Sequence, residues 1–75
     1  MIDRIYQLDR KDIAMVQYII EGYERMSSVK TLDSSKALIM ISIIPDFLSD
    51  MNGLIEHLKE KYKMNEIEAF KGKMS

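Results

Sequence analysis

The chain has 75 residues, no cysteine and a formal net charge of −1, with 11 Lys and Arg set against 12 Asp and Glu. Disulfides and thiolate metal sites are excluded, and one core of this size buries only about 60% of the unfolded surface, so stability must come from packing and association. The two charge signs are mixed along the chain without the basic concentration of a nucleic-acid binder, and no apolar run is long enough to span a bilayer. The N-terminus has no basic start followed by an apolar stretch, as a signal peptide would, so the expected location is the cytoplasm.

The first strand is expected at about Arg4–Leu8, where Ile5, Tyr6 and Leu8 suit a pleated surface. Asp9 then stands as a helix N-cap, with Asp12 where a capping box places its reciprocal acid. Leu8 and Ile13 have hydrophobic-staple spacing. The helix runs to about Gly22 or Glu24, with Gly22 as the point where it unwinds. Ile13, Val16, Ile19, Ile20 and Tyr23 share its core face. Ala14, Met15 and Tyr18 widen the apolar surface, leaving Gln17, Glu21 and Glu24 as a narrow polar window.

A second strand is expected at about Ser27–Leu32, followed by the turn residues Asp33–Lys36, which read as a hairpin. The third strand, Ala37–Ile44, is apolar on both faces if extended. Leu38, Met40 and Ile44 lie on one side with Ser42, and Ala37, Ile39, Ile41 and Ile43 on the other. A half-exposed strand alternates apolar with polar, so this run calls for cover on both faces. In so short a chain, the second cover has to come from another copy or a partner.

Pro45 ends that strand and Asp46 is the expected N-cap of the second helix. Phe47, Leu48, Met51, Leu54, Ile55, Leu58 and Tyr62 form one apolar face at helical spacing, and Gly53 lies opposite. In the tail from Met64 to Ser75, Glu66–Phe70 alternates polar and apolar. A short edge strand, a continued helix and a disordered tail all remain open there.

One α+β domain over residues 1–75 follows. Its β-α-β-β-α order, with room for a short C-terminal strand, fits a ferredoxin-like antiparallel sheet with both helices on one face. The third strand takes the centre, with Ile39, Ile41 and Ile43 towards the helices. Leu38, Met40 and Ser42, beside Ser28 and Lys30, take the open side.

Asp9-Arg10-Lys11-Asp12-Ile13-Ala14, Glu21-Gly22-Tyr23 and Thr31-Leu32-Asp33 together resemble a small bacterial family of short single-domain proteins of unknown function. The resemblance runs from about Ile5 to Tyr62 and implies no activity. The layout also resembles the ACT-like regulatory domains, which pair up and hold small ligands between copies. Asp9–Asp12 occupies the place of their glycine-bearing loop, so no ligand site carries over.

Chemistry is sparse. His57, the sole histidine, sits two turns from Asp50 on one helix flank without a third metal ligand, which reads as a solvated side chain. Asp9 and Asp12 read as capping residues rather than an acid–base pair. Arg10 and Lys11 are the candidate grip for a small anion. Tyr6, Tyr18, Tyr23 and Tyr62 are candidates for an aromatic surface. Among them Tyr23 and Tyr62 lie on core-facing arcs, whereas Tyr18 extends beyond the core face. Met15 and Met40 are the methionines placed to face a partner. No glycine-rich phosphate loop, nucleophile elbow or metal-spaced cluster is present, so no catalytic residue, metal or cofactor is expected. The expected function is a non-enzymatic, self-associating adaptor or regulatory module, a homodimer using Leu38, Met40, Ser42 and Tyr18. The alternative is a sensor that holds a small anion or amino acid near Arg10 and Lys11 between two copies.

Overall fold

A computed structural model describes residues 1–23 and 27–67. Its elements in chain order are β1 (Ile2–Gln7), α1 (Ile13–Glu21), β2 (Ser27–Asp33), β3 (Leu38–Ile43), α2 (Leu48–Tyr62) and β4 (Asn65–Glu66). The sheet order is β2-β3-β1-β4 and every pairing is antiparallel. This is an α+β, ferredoxin-like layout with β3 and β1 in the centre.

Antiparallel partners share a face, so the register sorts the side chains. Tyr6 pairs with Ile39, Ile41 with Val29, and Ile43 with Ser27, and all of these are buried. Val16 and Ile20 of α1 and Met51, Ile55 and Leu58 of α2 join them in one cluster. Both helices therefore cover the same sheet face, and the three β3 isoleucines form its centre. The one buried polar residue among the described positions, Ser27, directs its hydroxyl to the Met51 sulfur at 3.7 Å.

The strands depart from their expected bounds for reasons that lie in the partners. β1 begins at Ile2, not Arg4, because Ile2 and Asp3 pair with Ile43 and Ser42. Strand length follows the neighbour it pairs with more than local propensity. Ala37 is not part of β3, since it adopts a left-handed backbone (φ 56°) that closes the hairpin. Its amide donates to the Ser34 carbonyl at 3.3 Å. The turn is held by the Asp33 carboxylate, which accepts from the Ser35 amide at 3.0 Å, the Ser35 hydroxyl at 2.7 Å and the Lys36 amide at 3.1 Å. The Ser35 hydroxyl first, then the backbone amides, hold this carboxyl below its usual pKa of 3.8. The stabilisation is present above that value and is lost as the pH falls through the lowered one.

Neither expected side-chain cap forms. A 3-10 turn, Arg10–Asp12, precedes α1, and the Asp12 amide donates to the Asp9 backbone carbonyl at 3.0 Å. The donor that a capping box would use is thus already satisfied, and neither Asp9 nor Asp12 makes a cap hydrogen bond. Asp46 likewise sits within a 3-10 turn, Pro45–Phe47, where the Phe47 amide donates to the Ile44 carbonyl at 2.9 Å. Asp9→Ala should therefore change stability by less than about 0.5 kcal/mol in a chemical denaturation series. A larger loss would mean that the carboxylate caps the helix in solution.

Helix ends and faces otherwise follow the periodic pattern. Gly22 ends α1, and Leu48, Leu54 and Tyr62 pack against the core beside the buried α2 residues. Tyr23 and Phe47 are the exceptions: Tyr23 lies beyond the helix end and is 42% exposed, and Phe47 belongs to the 3-10 turn before α2, outside the core cluster. After Tyr62, Lys63 turns left-handed (φ 55°) and the Met64 amide donates back to the Lys59 carbonyl at 3.2 Å, a Schellman-type stop. Of the alternatives for the tail, helix continuation is thereby ruled out. Asn65 and Glu66 pair with Gln7 and Tyr6 as a short edge strand that shares only Glu66 with the expected Glu66–Phe70. Glu24 and Glu68–Phe70 lie outside the described residues.

Gly53 is exposed, and a Cβ built on it meets nothing within 4 Å. Gly53→Ala should therefore stabilise the protein by about 0.5–1 kcal/mol, by removing backbone freedom from the unfolded chain. Thermal melts of the two proteins compare this directly, and a lowered Tm would show that the position is constrained in another way.

Candidate functional site

The alternate positions of the same strands face away from both helices. Lys30, Met40 and Ile5 are consecutive partners across β2, β3 and β1. The Ile67 amide donates to the Ile5 carbonyl at 2.7 Å, which continues the β1–β4 pairing and sets Ile67 at the end of the row. Leu38 pairs with Gln7 on one side of this row, and Ser42 pairs with Asp3 and Ser28 on the other. Ile5, Leu38, Met40, Ser42 and Ile67 are all half-buried. None of the described helices lies over them. The result is an apolar stripe over β3 and β1 that ends at Ile67, just past β4, and is flanked by the exposed Lys30 and Asp3.

Leu38, Met40 and Ser42 are thus brought together on one surface, as expected. Tyr18 is not part of it. It lies on the outer side of α1, on the helix side of the sheet, and is 77% exposed. Met15, 50% exposed, shares that side, so Met15 and Met40 face opposite directions. Two side chains on the open face went unnoticed in the sequence, Ile5 and Ile67. The signal for Ile5 was its adjacency to Tyr6: two large apolar neighbours in a strand point to opposite faces.

One amide of the β2 edge is occupied. The Val29 amide points outward from the sheet and donates to the Glu21 carboxylate at 3.2 Å. Glu21 is exposed, as its place in the polar window implied, yet it is tied to the sheet as well as to solvent.

On the helix side of the sheet, Arg4 reaches from β1 and donates to the Asn52 side chain of α2 at 2.7 Å. Tyr6, next along the same face, is buried, and this burial pushes its hydroxyl pKa above 10.0, opposed by the Arg4 guanidinium beside it. Tyr6 is therefore a core residue with a polar rim, not part of an exposed aromatic surface. Tyr62 is half-buried with the Lys61 ammonium 5.6 Å from its ring centre.

Arg10 and Lys11 both lie in the 3-10 turn but have different neighbours. Lys11 lies 3.9 Å from both the Asp9 and the Asp12 carboxylates, which neutralise it. Arg10 lines a groove of about 460 Å³ between the start of α1 and the β2–β3 hairpin. His57 and Asp50 are both exposed, and no group of three metal-ligating side chains occurs among the described residues. No helix among them is long and apolar enough to cross a membrane.

No curated protein and no solved structure matches the chain. Residues 6–61 match a family described as a domain of unknown function (DUF4911), over nearly the same stretch as the resemblance carried by the Asp9–Ala14, Glu21–Tyr23 and Thr31–Asp33 motifs. With well over half of its length in that match, the chain belongs to this family.

Proposed function

We propose that the protein is a non-enzymatic module of the bacterial cytoplasm that self-associates as a homodimer through its open sheet face, as an adaptor or regulatory unit. The observation that carries this reading is the apolar row Ile67–Ile5–Met40, which no described helix covers, together with Leu38. Contiguous apolar surface left open on a small domain marks an interaction site.

A second copy is the occupant that fits best. The charges flanking the row, Lys30 and Asp3, have opposite signs, so two copies of the face do not repel. A two-fold arrangement stacks the sheets about 10 Å apart and covers both faces at once. Pairing through the β2 edge is disfavoured because Glu21 already takes the outward Val29 amide and puts a negative charge there.

Multi-angle light scattering on the full chain tests the reading. A dimer mass at micromolar concentration is expected, and a monomer mass across that range would overturn it. The alternative, a sensor of a small anion or amino acid, draws on the groove beside Arg10.

A further inference from the structure

We infer that the groove between the start of α1 and the β2–β3 hairpin binds a small organic anion with a short apolar body, such as a carboxylate, within a single copy of the chain. This inference does not rest on the dimer reading, because every lining residue comes from one chain and the groove lies on the helix side of the sheet.

The lining sorts by chemistry. Ile13 and Ala14 provide an apolar floor. The polar lining residues are Arg10, Gln17, Thr31, Ser34 and Ser35. No carboxylate lines the groove. Arg10 has no acidic partner within 4 Å among the described residues, whereas its neighbour Lys11 has two. The nearest acid on the hairpin, Asp33, does not line the groove, and its Oδ1 accepts from Ser35 and the Lys36 amide. The Ser35 hydroxyl donates to Asp33 and the Gln17 amide to Glu21, which leaves Arg10, Thr31 and Ser34 as the donors for a ligand. A positive charge with two hydroxyls beside aliphatic side chains suits an anion with a hydrocarbon part. A volume of about 460 Å³ is within the range of small-molecule sites.

The hairpin gives the site its rigidity. The Asp33 carboxylate holds the Ser35 amide and hydroxyl, and the Ala37 amide holds the Ser34 carbonyl, so the two serines are fixed within the hairpin before any ligand arrives. Such preorganisation lowers the ordering cost of binding.

Amide chemical-shift titration of the 15N-labelled full chain tests this with acetate, butanoate, inorganic phosphate and butylamine as probes. Butanoate should give saturable shifts at residues 10–17 and 31–35 and bind more tightly than acetate, by up to about fourfold for each added methylene that is buried. Butylamine should give none. Arg10→Gln should weaken butanoate by about tenfold or more, as expected for losing a charge-assisted hydrogen bond. Lys11→Gln should cost far less at physiological salt, and the Met40→Glu variant should bind butanoate as the wild type does. The inference is overturned if no probe gives saturable shifts at those residues up to about 10 mM, a free energy below roughly 3 kcal/mol. Equal weakening by Arg10→Gln and Lys11→Gln also overturns it, because the attraction would then be diffuse charge. Phosphate binding as tightly as butanoate would remove the apolar floor from the recognition.

Discussion

Leu58→Ala should destabilise the protein by about 2–5 kcal/mol in chemical denaturation, with the slope of the transition unchanged. Leu58 is 1% exposed and lies in α2 one turn from Ile55 and two from Met51, all in contact with the sheet. Removing three carbons there loses their transfer energy and leaves a cavity that the β3 isoleucines cannot fill, because Ile39, Ile41 and Ile43 are β-branched and held in a central strand. Domains of this size carry only about 5–10 kcal/mol in total, so the variant should be partly unfolded at physiological temperature. Leu54→Ala, at a partly buried site on the same helix, should cost less. A loss below about 0.5 kcal/mol for Leu58→Ala would mean that α2 does not pack on the sheet in this orientation.

The second large effect is expected on association. Met40→Glu should raise the dimer dissociation constant by at least about a hundredfold, since each copy would carry a carboxylate into the middle of an apolar interface. Met40 lies in the central strand between Ile5 and Lys30, and the two-fold brings both substituted positions towards the centre. Lys30→Glu, one strand outward on the exposed edge, should change the constant by less than about threefold, in line with the small worth of rim charges. Circular dichroism on both variants separates lost association from lost folding. Equal dissociation constants for the two variants would place the contact elsewhere.

The parts of this structure that could be read from sequence are those where burial imposes a period. The six apolar positions of α2 from Leu48 to Tyr62 and the double-faced run of β3 gave the buried face of the helix and the central place of the strand. The sides of β3 were also legible, since Ile39, Ile41 and Ile43 are buried while Leu38, Met40 and Ser42 are half-exposed. The helix starts were not. Asp9 and Asp46 have the residue type and spacing of caps, but the Asp12 amide donates to the Asp9 carbonyl and the Leu48 amide to the Pro45 carbonyl, and nothing in the residue pattern distinguishes those acceptors. Ala37 shows the same limit, because a residue with ordinary strand neighbours takes a left-handed turn to close the hairpin.

The sites were legible in proportion to how local they are. Arg10 was identifiable as a candidate anion contact. Thr31, Ser34 and Ser35 were not, because only the crossover through α1 brings the hairpin beside the residues that follow β1. Tyr18 stood out by the same periodicity that singled out the core, yet the side it occupies depends on which sheet face α1 covers. The Arg4–Asn52 hydrogen bond joins residues 48 apart and has no local signature at all.

Isotope-filtered nuclear Overhauser spectroscopy on a one-to-one mixture of labelled and unlabelled full chain tests stacking of the open faces most directly. The Met40 methyl of one copy should show contacts to Ile5, Leu38 or Met40 of the other, as two sheets about 10 Å apart with interdigitating side chains require. A dimer whose intermolecular contacts fall only on Met15 and Tyr18, or only along the β4 edge, would contradict it.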